Sequence, residues 1–173
     1  LELIRIDPAG SRDLDQALHI ARGPSGEFVI SYAIADIAAF VRPGDPIDRE
    51  AHRRGMTFYA PDCRSPLHPA VLSEGAASLL PHEVRPALLW TITLNHRGQT
   101  IAAEVARARV RSRAQLSYGQ AQAEIDSTTP RQTLDLLKLV GQWREIWERD
   151  RGGISLKIPQ QEIQPKGSGW TLR

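Results

Sequence analysis

Three carboxylates stand within nine residues near the start of the chain, in the run Ile6-Asp7-Pro8-Ala9-Gly10-Ser11-Arg12-Asp13-Leu14-Asp15-Gln16. Asp13 and Asp15 alternate about Leu14, so in extended backbone they leave from one face while Leu14 anchors the other. The Pro8/Gly10 turn chemistry can return Asp7 to them. Clustered carboxylates resist joint ionisation and are relieved by a cation. Mg2+, a hard oxygen-seeking ion usually shared with substrate phosphate, is the natural candidate. The same residues equally describe an acidic, solvated loop, and spacing alone leaves both open.

Two further patterns bear on a phosphate-rich ligand. Arg107, Arg109, Arg111 and Arg113 recur at period two, so in a strand they share one face and either track a phosphate backbone or form a solvated stripe, with Glu104 nearby. Tyr59 lies in a proline-rich loop and Tyr118 at a helix start, where each is either a packing residue or a stacking surface. His19, His52, His68, His82 and His96 are scattered, and none pairs with Cys63 at metal-ligand spacing, which argues against zinc. Cys63 reads as an ordinary loop cysteine and Asp36, inside Ile34-Ala-Asp-Ile37, as a buried hydrogen-bonded carboxylate with a structural role.

The elements that must position these residues are legible from local signals. Leu1 to Ile6 is a short strand pattern, and Leu14 to Ala21 and Phe28 to Ile34 form a strand pair about Gly23-Pro24-Ser25-Gly26. Asp45 as N-cap, Pro46 at the first helical position and Gly55 at the end define a helix. Met56 to Leu72, punctuated by Pro61, Pro66 and Pro69, reads as an ordered loop. Trp90 to Leu94 and Ile101 to Arg113 flank Asn95-His-Arg-Gly98 as a second hairpin. Ser117 and Gln120 form a capping box before a short helix ending near Ile125. Thr129-Pro130 opens a longer helix to about Arg149, with Leu136, Val140, Trp143 and Trp147 as its packing stripe and Gly152-Gly153 at its close. Strands and helices in this order predict an α+β fold with a mixed, largely antiparallel sheet and packed helices.

Composition bounds the rest. The chain has 173 residues, 41% hydrophobic and 24% charged, which excludes collagen, coiled coil and disordered classes. Lys plus Arg number 22 and Asp plus Glu 20, a net charge of +2, so any basic partner surface must be local. One cysteine forms no internal disulfide, and no run reaches the ~20 apolar residues of a membrane span, so a cytosolic chain without a membrane partner is expected. The chain opens at Leu1 and stops at Arg173 just after a new segment begins, which reads as a piece of something longer.

Asp7 to Leu18 resembles the signature that opens the catalytic domain of the ribonuclease II/ribonuclease R (RNB) family, and the resemblance continues in order. Ala33-Ile34-Ala35-Asp36-Ile37 with Phe40-Val41-Arg42-Pro43-Gly44 looks like the family's "hIADV…yV.pG" segment. Asp48 to Gly55 with Tyr59-Ala-Pro61 looks like its "ld.eA..R…vYlP" block. Ser65-Pro-Leu-His-Pro69, Leu72-Ser73, Ser78-Leu79 and Arg85-Pro86 follow as its next blocks, and Arg113 to Tyr118 as its "s.a.ltY" element. The similarity runs over about residues 4 to 125, and more faintly over Arg151 to Pro159.

The resemblance implies a Mg2+-dependent exoribonuclease, with Mn2+ as a substitute, that degrades single-stranded RNA from its 3′ end and releases nucleoside 5′-monophosphates. By motif position it makes Asp7, Asp13 and Asp15 catalytic metal-site aspartates, with Asp15 also positioning the attacking water. Tyr59 matches the family tyrosine that stacks on the 3′-terminal base, Tyr118 another tyrosine of the RNA channel, and Arg107 and Arg109 fall to phosphate contact. Gln16 stands where the family usually has a fourth aspartate, so a neutral carbonyl replaces a charge. The alternative is therefore an RNB-like domain that binds RNA with a degenerate site. The family's catalytic domain is longer than 173 residues, so the chain is expected to be its amino-proximal part, without the distal part and the flanking cold-shock and S1-type modules. Alone it is expected to be inactive, and monomeric.

Overall fold

The computed structural model describes residues 1–60, 63–156 and 163–172. In chain order it forms β1 (Leu3–Ile6), β2 (Gln16–Arg22), β3 (Phe28–Ala35), α1 (Pro46–Arg54), β4 (Phe58–Tyr59), β5 (Arg64–Ser65), β6 (Val84–Leu94), β7 (Thr100–Leu116), α2 (Tyr118–Ile125), α3 (Gln132–Asp150), β8 (Ile163–Lys166) and β9 (Gly169–Leu172). The α+β class and the mixed, largely antiparallel sheet hold. What local patterns did not announce is closure: β1-β2-β3-β6-β7 form a barrel, antiparallel except where β1 pairs in parallel with the end of β7. The 17-residue β7 pairs with β6 along its early part and with β1 at Ser112–Leu116, and so bridges the sheet's two edges. Small side chains permit the closure, because Ala17, Ala33 and Ala87 are fully buried inside with Leu3, Leu79 and Val110, and a five-strand barrel has little interior room.

The outer face of the barrel carries a second core. Ile20, Phe28 and Leu94 pack there against Leu136 and Val140 of α3. The rest of the α3 stripe covers the β6–β7 turn: Trp147 Nε1 donates to Arg97 O at 2.7 Å, and Trp143 lies so close to Gly98 that an added Cβ would come within 2.6 Å of its own. Gly98 also has φ +74°, so this turn needs glycine for two reasons. Both tryptophans are thus packing residues. α3 begins at Gln132 rather than at Thr129-Pro130, because Glu124 accepts from both the backbone N–H and the guanidinium of Arg131 and holds the preceding residues out of the helix.

Caps at the other helices follow the sequence. Asp45 Oδ1 accepts from Asp48 N at 2.8 Å, and Gly55 closes α1 with φ +77°. Ser117 and Gln120 make both bonds of the capping box on α2. Met56 to Leu72 is largely irregular but holds the two-residue ribbon β4–β5, in which Tyr59 stands opposite Arg64. Its Pro61, and residues 157–159 of the fainter resemblance, lie outside the described residues. No helix among the described residues is long and apolar enough to cross a membrane.

One charge is buried inside this barrel. The period of two places Arg5 on the inward face with Leu3, and the residue is 1% exposed. Its Nε donates to Gln16 O at 2.8 Å, one terminal nitrogen to Leu79 O at 2.9 Å and the other to Asp7 Oδ2 at 3.1 Å. Burial lowers its pKa and Asp7 and Asp15 oppose that, while a guanidinium stays charged throughout. Replacing Arg5 by Met strands two carbonyls and a carboxylate at once. Urea unfolding of Arg5→Met is expected to show a loss of about 3 kcal/mol.

Candidate active site

The acidic loop between β1 and β2 is held by its main chain and by one apolar side chain. Leu14 is fully buried. The buried Ser78 hydroxyl accepts from Leu14 N at 3.1 Å and donates to Arg12 O at 2.6 Å, and Leu79 N donates to Leu14 O at 2.7 Å. Ala35 N donates to Asp15 O and Gln115 Nε2 to Ser11 O. With Leu14 locked inward, Asp13 and Asp15 project outward. Gly10, at φ +84°, completes the turn that brings Asp7 back, and Asp7 N donates to Leu116 O at 3.0 Å.

The electrostatics show that the three acids share one region. Burial raises the pKa of Asp7, Asp15 and Asp13 raise it further, and Arg5 opposes them. Tyr32 is raised as well, by burial first and then by Asp15. Asp13 is engaged elsewhere too: Arg64 donates to Asp13 Oδ2 at 2.6 Å and to Glu74 Oε1 at 2.5 Å. Burial lowers the Arg64 pKa, but Asp13 and Glu74 outweigh it and raise the value.

Asp15 lines two of the hollows beside the loop. One, about 340 Å³, is bounded by Asp13, Asp15, Ile34, Tyr59, Arg64 and His68. Tyr59 is 73% exposed, so its ring face is available to a planar ligand. The smaller, about 250 Å³, brings Asp7, Asp15 and Gln16 together with Tyr32 and Tyr118. Gln16 Oε1 accepts the Tyr32 hydroxyl, so its carbonyl already has a partner. The sequence-derived residues therefore divide between two hollows that share Asp15, with Asp13 and Tyr59 on one and Asp7, Gln16 and Tyr118 on the other.

The arginine ladder lies apart from them. All four arginines are exposed on the outer face of β7 while Val110 and Ser112 point inward. Across the sheet Gln16 stands opposite Ile34, Ile34 opposite Leu88 and Leu88 opposite Arg107, three strand spacings or roughly 14 Å from the acidic loop. Arg107 Nε pairs with the buried Asp36 at 3.1 Å, which gives Asp36 its structural partner and Arg107 an internal engagement. Among the described residues Arg109, Arg111 and Arg113 have no carboxylate partner.

All-oxygen donors suit a hard divalent cation, and the raised pKa of Asp7, due first to burial, also carries a smaller contribution from repulsion by Asp15 and Asp13. Among the described residues no three carboxylate, imidazole or thiol groups are drawn into a closed cage, since Arg5 holds Asp7 and Arg64 holds Asp13. Sequence reasoning gave no site role to Arg5, Tyr32, Arg64, Ser78 or Glu74. Ser78 entered only as part of a motif block, and Arg5 left a local trace as a charge inside Leu3-Ile4-Arg5-Ile6 immediately before the first acid.

Comparison with known proteins converges on one family. The family described as RNB domain matches residues 1–169. Exoribonuclease 2 of Sodalis glossinidius is 40% identical over 120 residues, covering 68% of this chain and 18% of that protein. Mouse exosome complex exonuclease RRP44 is 31% identical over 159 residues, covering 90% of this chain and 17% of that protein. The structure of Mycoplasma genitalium RNase R in complex with double-stranded RNA superposes with a TM-score of 0.88 at 26% identity, covering 96% of this chain and 31% of that one. The chain thus spans less than a third of each protein's length.

The raised Asp7 pKa has a sign that can be tested. Protonation of Asp7 favours the fold, a contribution complete below pH 3.8 and lost as pH rises through the raised value. Asp7→Asn keeps an oxygen for Arg5 and removes the disfavoured charge. Urea unfolding is expected to show no loss of stability for Asp7→Asn at pH 7, with the unsubstituted chain gaining on it as the pH is lowered toward 4.

Proposed function

Since the chain belongs to the RNB domain family, whose homologues here are exoribonucleases, we propose that it carries the metal and 3′-nucleotide sites of a hydrolytic 3′-to-5′ exoribonuclease acting on single-stranded RNA. Residues 1–173 are the amino-proximal part of a longer catalytic domain in this reading, and the location is cytosolic. The observation that carries it is the cleft of about 340 Å³ in which Asp13 and Asp15 face Tyr59. Carboxylates that would reach a phosphate through a bound divalent cation at one wall, and an exposed aromatic face at the other, suit a terminal nucleotide.

The roles follow from position. Asp7, Asp13 and Asp15 would hold Mg2+, with Mn2+ as a substitute, and such a cation would supply stabilisation of charge on the phosphate and on the leaving 3′ oxygen. Asp15 lines both hollows and orients the attacking water. Water adds to phosphorus, the bond from phosphorus to the 3′ oxygen of the preceding nucleotide breaks, and that oxygen takes a proton while a nucleoside 5′-monophosphate leaves. Stacking on Tyr59 reads no sequence, because every base has a π face. Tyr118 borders the smaller hollow as a channel residue, and Arg109 supplies phosphate contact farther out, whereas Arg107 is held by Asp36.

The Tyr32–Gln16 hydrogen bond favours a second reading, an RNB-like domain that grips RNA without cutting it, because the residue in the fourth acidic position is neutral and already bonded. Labelled single-stranded RNA incubated with Mg2+ and the parent protein that contains this chain separates the two. Trimming from the 3′ end to mononucleotides, reduced about 100-fold or more in Asp15→Asn, supports hydrolysis. Trimming by Gln16→Asp alone selects the degenerate site, and equal binding of duplex and single strand overturns both. In the same binding assay Arg109→Ala is expected to reduce the log–log salt slope by ~0.7, the loss of one phosphate contact on a single strand.

A further inference from the structure

Arg64 takes no part in the reaction outlined above, yet it makes the shortest ion pairs of the cleft, 2.6 Å to Asp13 and 2.5 Å to Glu74. The geometry points to Arg64 as an internal counter-cation of the acidic loop: we propose that its guanidinium occupies the edge of Asp13 that a divalent cation needs, and that the cation enters by exchange with it. This rests on Asp13 being a metal ligand, the reading given under Proposed function.

Four observations carry it. A guanidinium cannot lose its charge at any pH the protein meets, so it cannot yield the carboxylate by deprotonation and must move away from a second cation. Arg64 has a place to go, since Glu74 on the turn Leu72–Ala76 already binds its other terminal nitrogen. Its side chain is about one-third exposed, so moving it disturbs no core. Finally, Arg64 stands opposite Tyr59 in the β4–β5 ribbon, and its grip on Asp13 is a side-chain tie between that ribbon and the acidic loop. Exchange would therefore untie the ribbon carrying the stacking ring at the moment the metal site fills.

Calorimetric titration of the full chain with MgCl2, without RNA, tests the exchange. Arg64→Ala is expected to bind Mg2+ about fivefold more tightly than the unsubstituted chain, the equivalent of removing one partly exposed ion pair. Arg64→Gln is expected to do the same, and serves if the alanine variant folds poorly. Asp13→Asn should weaken binding, and in the Asp13→Asn background Arg64→Ala should bring no gain. Unchanged or weaker binding by both Arg64 variants, with Asp13→Asn still weakening it, overturns the exchange and leaves the metal site standing. Failure of every form to bind Mg2+ overturns the exchange and the metal assignment together. A second readout needs no variant: the Ala60 amide, bonded to Cys63 O across the ribbon, should exchange with deuterium faster once Mg2+ is added, and an unchanged rate overturns the untying of the ribbon.

Discussion

A permanent positive charge inside a small barrel sets the terms for everything around it. Arg5 cannot shed its proton, so the fold must supply oxygens wherever the guanidinium points. It supplies them from three places: the start of β2, the segment before β6 and, two residues along the chain, the first acid of the loop. Satisfying one side chain therefore fixes the entrance and exit of the acidic loop and the Ser78–Leu79 segment beneath it. Leu14 and Ser78 finish what Arg5 begins, and the outward aim of Asp13 and Asp15 is the geometric remainder.

The same chemistry explains how four acids stay close without tearing the loop apart. Asp7 leans on Arg5, Asp13 and Glu74 share Arg64, and Asp15 has its backbone carbonyl tied to β3. The charges are offset from opposite directions, one from within the barrel and one from across the cleft. Burial is the main reason that the Asp7 and Tyr32 pKa values are raised, and the neighbouring carboxylates add to it.

What could be seen in the sequence was what depends on neighbours in sequence. Asp45, Pro46 and Gly55 delimit α1 because capping is a matter of three or four residues, and the Ser117/Gln120 box did the same for α2. The alternation of arginines along β7 was visible because a strand has period two. The three acids were visible as residue types, and Tyr59 was singled out with them by the order of motif blocks, although in the fold it shares a hollow with Asp13 and Asp15 and not with Asp7. Barrel closure was not visible, because the parallel β1–β7 pairing joins residues about as far apart as Leu3 and Ser112. Nor was the burial of Arg5, the grip of Ser78 or the reach of Arg64, each of which depends on a carbonyl or carboxylate brought from elsewhere. The Asp36–Arg107 pair shows the limit well: burial of Asp36 could be inferred from its apolar neighbours, but its partner lies on another strand.

The main chain of the acidic loop is fastened at Ser11, Arg12, Leu14 and Asp15 by groups that do not touch its carboxylates, while Asp7 and Asp13 add ion pairs of their own. Of the three acids, Asp15 is the one whose side chain the fold uses least. A neutral side chain at the start of β2 is accommodated in the same way: Gln16 is bonded to Tyr32 on an intact strand, so the backbone that presents this position does not depend on a charge there.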